Sequence, residues 1–199
     1  MYDKNQKRRV LVSSEREVFK QAIFRVFEAR LRYERFDGTM TDEIVRLNFD
    51  RGDSAAALVH NVRDDLIVLT EQFRYPTYRE GPGWIVEMPA GMVDGHESPV
   101  DAIRREIEEE IGYRVGGVRQ IGSFYMSPGG SSERIHCFYC AVDGDQRVTE
   151  GGGDPREGED IRVVTATVDD LLAQLSNGRI EDAKTAIMLQ WLALHRQEL

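Results

Sequence analysis

The spacing of apolar positions changes several times along the chain, and each change marks an element. From residue 8 to 51 apolar and polar residues alternate loosely, as in "EIVRL" (Glu43 to Leu47), and "FDGT" (Phe36 to Thr39) supplies a turn signal, which predicts a small antiparallel sheet. "AAALVH" and "DLIVLTEQF" are apolar enough for two buried strands joined by the polar turn "NVRDD". "YREGPG" reads as a loop and "WIVEMPAG" as a strand ending in a glycine turn. The period then lengthens: Val100, Ile103, Ile107 and Ile111 make one apolar stripe, predicting a helix from about Ser98 to Ile111, with Ser98 as N-cap, Pro99 at the tolerated first position and Gly112 as the stop. Strand patterns return in "YRVGGVRQIGSFY", "RIHCFYCAV" and "DIRVVTATV", and two helices, about 168–176 and 180–197, close the chain. Two glycine-rich loops, "SPGGSSE" and "EGGGDPREGE", interrupt this order, and the second is long enough to suggest more than a connection.

The 199 residues, 41% of them hydrophobic, suffice for one compact domain or a domain with a small appendage. No apolar run approaches the roughly 18 residues that span a bilayer, and the start "MYDKNQKRRV" lacks the apolar stretch of a secretion signal, so a cytoplasmic protein without membrane partners is expected. A net charge of -9, from 35 acidic and 26 basic residues, opposes nucleic-acid binding, which requires neutralised phosphates, and favours a cation as partner. The two cysteines, Cys137 and Cys140, form a CxxC spacing within a strand pattern. Positions three apart on a strand face opposite ways and no second pair exists, so buried free thiols are expected rather than a metal or redox site.

The helix at 98–111 concentrates Glu106, Glu108, Glu109 and Glu110. At about 100° per residue, Glu106, Glu109 and Glu110 fall on one flank of the apolar stripe, and Glu97 and Glu108 on the other. A solvated face is the usual meaning of such a run. Against it, like charges at (i, i+4), as in Glu106 and Glu110, cost a helix about 0.2 to 0.5 kcal/mol unless a cation neutralises them. The helix also follows a turn with Gly91 and Gly95, where backbone can approach a ligand closely. A hard divalent cation takes oxygen ligands of this kind.

Gly91, five residues, Glu97, seven residues and then "REIEEEIGY" (Arg105 to Tyr113) resembles the Nudix box, the signature of hydrolases that cleave a nucleoside diphosphate linked to another moiety. Every polar position is matched, and Tyr113 stands where an aliphatic residue is more usual. The resemblance implies an α/β/α sandwich around a mixed sheet, and two or three Mg²⁺ or Mn²⁺ ions held by Glu106 and Glu110, with Glu109 and the carbonyl of Ala90 as further ligands. Arg105 and Glu97 are expected to support the loop around the catalytic centre. "EQFRYPTY", "WIVEMPAGMVDGHE", "YMSPGGSSERIH", "GEDIRV" and "IMLQWLALHRQEL" resemble ADP-ribose pyrophosphatases and the related GDP-mannose pyrophosphatases, and Pro128, about fifteen residues after the box, is a mark of the ADP-ribose group. The expected reaction is Mg²⁺-dependent hydrolysis of ADP-ribose to AMP and ribose 5-phosphate, with GDP-mannose or another nucleoside diphosphate sugar as the alternative.

Arg74, Arg46 and Arg51 offer planar bidentate donors for phosphate or ribose oxygens, and Glu133 an acceptor for a terminal ribose. Phe24, Phe27 and Tyr33 could stack on a purine, although aromatics so placed are more often core. In the resembling enzymes the general base comes from the long late loop, which points to Glu157, with Glu159 second. The same loop, with its glycines and carboxylates, reads as a lid. A nucleotide-sensing module without catalysis would lack box glutamates or carry a DNA-binding extension, and neither is seen; an isomerase on this fold would need a cysteine near the box. Residues 1–52 form too small a core alone, so a homodimer with an exchanged N-terminal sheet is expected, with 53–199 as the hydrolase domain.

Overall fold

The computed structural model describes residues 8–199 apart from the side chain of Glu157. The first seven residues of the expected N-terminal region, and the Glu157 carboxylate expected as base, lie outside the described residues. Two compact units result: the residues up to Gly52 together with Ser127–Glu133, and Asp53–Met126 together with Arg134–Leu199.

In the first unit β1 (Val10–Gln21), β2 (Phe24–Tyr33) and β3 (Ile44–Asp50) form an antiparallel sheet in that order. The β1–β2 reversal is made at Ala22 and Ile23, with Ala22 at φ 50°, a left-handed turn that no glycine or asparagine announces. "FDGT" instead lies in the β2–β3 connection, where Gly38 takes φ 84°. Segment 127–133 joins this unit through Phe49, whose amide donates to the Gly130 carbonyl at 2.8 Å. Much of the sheet's apolar surface is open: Leu11, Val12, Phe19 and Leu47 are all exposed. Phe24 and Tyr33 are exposed rather than core, and Arg25 stacks over Phe27 at 4.5 Å.

The second unit is built on a seven-stranded mixed sheet of order β10-β5-β4-β9-β8, comprising β4 (Ser54–Asn61), β5 (Leu66–Phe73), β8 (Arg119–Tyr125), β9 (Arg134–Val142) and β10 (Arg162–Thr167). β6 (Trp84–Glu87) adds to β5 and β7 (Ala90–Met92) to β4. Only β4 and β9 pair in parallel; the other pairings are antiparallel. β4 is buried along its whole length because both sheet faces are covered, which is why it reads as a continuous apolar run. Ala55, Ala57 and Val59 face helix α1 (Pro99–Ile111), and Ala56 and Leu58 face α2 (Val168–Ser176) and α3 (Ala183–His195). This is the expected α/β/α sandwich.

Ile103, Ile107 and Ile111 are fully buried, each worth about 1.5–3 kcal/mol of burial. Cys137 and Cys140 are free and lie on opposite faces of β9, and burial pushes both thiols up to about 12. Three boundaries move. "WIVEMPAG" divides between β6 and β7 at Met88-Pro89, "YRVGGVRQIGSFY" becomes a strand only from Arg119, and α3 starts at Ala183 because the Asp182 side chain caps it by accepting from the Thr185 amide. No helix among the described residues is long and apolar enough to cross a membrane.

Candidate active site

Helix α1 is fixed by its own sequence. The Ser98 hydroxyl accepts from the Asp101 amide at 3.1 Å, and Gly112 takes φ 78° at the C-terminus, where its amide donates to the Glu108 carbonyl. With the isoleucine stripe seated on the sheet, Glu106 and Glu110 turn toward β7 and are buried, at 8% and 1% exposure. The Ala90 amide donates to Glu110 Oε2 at 3.0 Å. A Cβ on Gly91 would stand 1.8 Å from Glu106 Oε1, so the Glu106 carboxylate occupies the space this glycine leaves. Gly91→Ala is therefore expected to displace that carboxylate and lower turnover roughly 100-fold with little change in melting temperature; normal turnover would show that the approach is incidental.

Arg105 braces the same turn. Its guanidinium donates to Glu106 Oε1 at 2.8 Å, to Glu109 Oε2 at 3.0 Å, to both Glu97 oxygens at 3.3 Å and to the Met92 carbonyl at 3.3 Å. Burial works against its charge, yet these carboxylates hold it further toward the charged form than usual. Glu109 is thus turned to Arg105, and among the described residues no three His, Cys, Asp or Glu side chains are already arranged as a metal cage.

Arg74, just past β5, donates through Nε to Glu87 Oε1 at 2.8 Å, and Glu159 Oε2 accepts from the Asp154 amide at 2.9 Å. Both border a cavity of about 280 Å³ lined by Gln72, Phe73, Arg74, Trp84, Gly158, Glu159 and Asp160. The glycines of the long loop have a use that the lid reading missed. Gly152 and Gly153 donate to the Glu110 and Glu109 carbonyls at 2.9 and 3.1 Å, and a Cβ on Gly151 would stand 2.5 Å from the Glu110 carbonyl oxygen. They cap the end of α1 at close range, which only glycine permits. In the first unit Arg51 pairs with Glu133 at 3.3 Å, Arg46 donates to the Val45 carbonyl at 2.9 Å, and Pro128 is exposed.

The profile of the NUDIX domain matches residues 50–187. The chain belongs to the NUDIX domain family. It is similar to the GDP-mannose pyrophosphatase of Pectobacterium atrosepticum, 43% identical over 148 residues that cover 73% of this chain and 75% of that protein. The GDP-mannose pyrophosphatase of Yersinia enterocolitica is 40% identical over 161 residues, 80% of this chain and 82% of that protein. Among solved structures, the crystal structure of an ADP compounds hydrolase shares the fold with a TM-score of 0.69 at 20% identity, covering 96% of this chain and 97% of that one.

NUDIX hydrolases generally use a divalent cation such as Mg²⁺, and the residues of this NUDIX chain fit one. Burial first, then Glu109 and Glu159, push the Glu106 carboxyl up to about 7 against the pull of Arg105. Burial and the Glu106 charge push Glu110 up to about 8, with the Ala90 amide and Arg74 pulling the other way. Two oxygen-donor groups packed together in a dry site at this cost are what a hard cation relieves. A carboxyl whose folded pKa lies above its unfolded value contributes stability that is complete below about 4.5 and is lost as pH rises through about 7 and 8. The metal-free protein is expected to melt progressively lower between pH 5 and pH 8.5, and Mg²⁺ to restore most of that loss at the upper end. A melting temperature flat with pH would contradict the burial of these two groups.

Sequence reading missed Glu87 and Lys184, buried at 4% and 8% exposure, and Gln72 at 5%. For Glu87 and Lys184 the available signal was a lone charge inside an apolar run, as in "WIVEMP" and "AKTAIML".

Proposed function

We propose that this NUDIX chain hydrolyses the diphosphate bridge of a nucleoside diphosphate sugar, GDP-mannose foremost, to nucleoside monophosphate and sugar 1-phosphate. The observation that carries the reading is the buried, mutually repelling pair Glu106 and Glu110, set against Ala90 and Gly91 with Arg74 within electrostatic reach. The printed names of the relatives at 43% and 40% identity favour GDP-mannose. ADP-ribose is the second reading, supported by Pro128 and the likeness of "SPGGSSE" to ADP-ribose pyrophosphatases.

Glu106 and Glu110 would hold Mg²⁺ or Mn²⁺, joined by Glu109 and the Ala90 carbonyl when Glu109 leaves Arg105. Such an ion, when bound, neutralises diphosphate oxygens and makes water more acidic. The Arg74 guanidinium binds the non-bridging oxygens and offsets the charge that builds on them in the transition state. A water oxygen bonds to one phosphorus as the bridging P–O bond breaks, and the bridging oxygen leaves with the other phosphate. The water's proton passes to a loop carboxylate. The candidate acceptors are Glu157 and Glu159, and the Glu159 charge acts on both Glu106 and Glu110. Glu97 and Arg105 keep the box turn in place through this cycle.

The open apolar face of the first unit supports a homodimer that covers it and brings Arg46, Arg51 and Glu133 to the substrate. Light scattering should then give twice the mass of one chain, and an active monomer would contradict the pairing. For the substrate, GDP-mannose, ADP-ribose, NADH and a diadenosine polyphosphate are each incubated with Mg²⁺ and the products separated. GMP with mannose 1-phosphate, formed with the highest kcat/KM of the panel, is the expected result; turnover of NADH or the diadenosine compound alone would overturn it.

A further inference from the structure

Two charged side chains that this chemistry leaves unused lie deep in the second unit. Glu87 ends β6 and Lys184 stands in the first turn of α3, at 4% and 8% exposure. An ion pair at such depth loses more in desolvation than it gains unless its remaining polar atoms are also satisfied. Lys184 Nζ donates to Glu87 Oε2 and lies 3.1 Å from Asp182 Oδ1. Asp182 Oδ2 accepts from the Thr185 amide at 2.9 Å and from its hydroxyl at 2.6 Å, and the Thr185 hydroxyl oxygen accepts from the Met88 amide at 3.0 Å. The start of α3 therefore fixes one oxygen of Glu87. The other, Oε1, accepts from Arg74 Nε at 2.8 Å.

This division of labour has a direction. The Arg74 side chain is 42% exposed, and left to itself such a chain loses rotamer freedom when frozen against a ligand. With Nε tied to Glu87, that loss is taken in folding. Its two terminal nitrogens make no hydrogen bond to the described residues, which leaves the bidentate edge of the guanidinium for an anion. The Arg74 charge already acts on Glu110, and on the same cavity wall Gln72, 5% exposed, has an Nε2 without a partner among the described residues. A buried donor left unmatched beside a free guanidinium edge is a wall shaped for an oxygen-rich ligand.

We infer that Glu87, locked by Lys184, is a positioning residue that aims Arg74 at the diphosphate oxygens, and so makes the start of α3 part of the support of the site. The inference rests on the nucleoside diphosphate sugar reading above, and its test separates the two. The Nε–H resonance of Arg74, assigned by its loss in Arg74→Lys, is recorded on the protein without substrate. It should be distinct and slowly exchanging in the native chain, and merge with the solvent-exposed arginines in Glu87→Ala; an unchanged resonance overturns the inference whatever the substrate. Kinetics with GDP-mannose, or with whichever panel compound is turned over, then form a double-mutant cycle. Glu87→Ala should lower kcat/KM about tenfold in the presence of Arg74 and less than about twofold in the Arg74→Ala background. Equal losses in both backgrounds would show that Glu87 does not act through Arg74. Glu87→Leu combined with Lys184→Met, an apolar replacement of the whole pair that holds the fold, should give the same spectral change, and a distinct Arg74 resonance in that variant overturns the inference.

Discussion

Glu110→Gln is expected to lower kcat by roughly 10³-fold and, in metal-free buffer above pH 8, to raise the melting temperature. The two effects have one origin. Glu110 is 1% exposed, and both burial and the neighbouring Glu106 disfavour its charge. Glutamine keeps the shape and an oxygen for the Ala90 amide, but removes the charge that repels Glu106 and that a cation needs. A variant that is more stable yet nearly inert separates function from folding. Near-normal turnover, or a melting temperature well below that of the native chain, would each contradict this role.

Glu159→Gln should cost about 10² to 10⁴ in kcat, the range of a lost general base, and remove the acidic limb of the pH–rate profile. The substituted side chain can still accept from the Asp154 amide, so the loop path past Gly153 should survive. The diagnostic comparison is Glu157→Gln under the same conditions. If that change costs as much and Glu159→Gln is mild, the proton acceptor is Glu157 and the field of Glu159 on Glu106 and Glu110 serves only cation binding.

The sequence was legible where one local rule acts alone. The α1 stripe and the shared flank of Glu106 and Glu110 follow from a single helical period, the Ser98 cap and the Gly112 stop from single residues, and the structure places them accordingly. The opposite-facing thiols of Cys137 and Cys140 follow from the strand period in the same way. What stayed hidden depends on partners distant in sequence. Lys184 meets Glu87 across 97 positions, and no pattern in either segment names the other. Arg105 holds Glu106 and Glu109 through the same nitrogen, Nη1, at 2.8 and 3.0 Å, a contact that no period along the chain announces. The three successive glycines, 151 to 153, entered the sequence only as features of a lid, and their positive φ angles and contacts place them against the end of α1, which no local pattern announces. The hairpin at Ala22 carried no turn residue to find. Fold, box and Arg74 were thus readable, while the support that Glu87 and Lys184 give Arg74 needed the sheet to be assembled.

Cation uptake decides the matter most directly. Mn²⁺ is titrated into the native chain and into Glu106→Gln/Glu110→Gln at pH 8, with free Mn²⁺ followed by electron paramagnetic resonance, in the presence and absence of GDP-mannose. The native chain should take up at least one ion, more tightly with nucleotide sugar, and the double variant should take up none in the same range. Equal uptake by both proteins would mean that these buried carboxylates hold no metal, and the proposed chemistry would have to be abandoned.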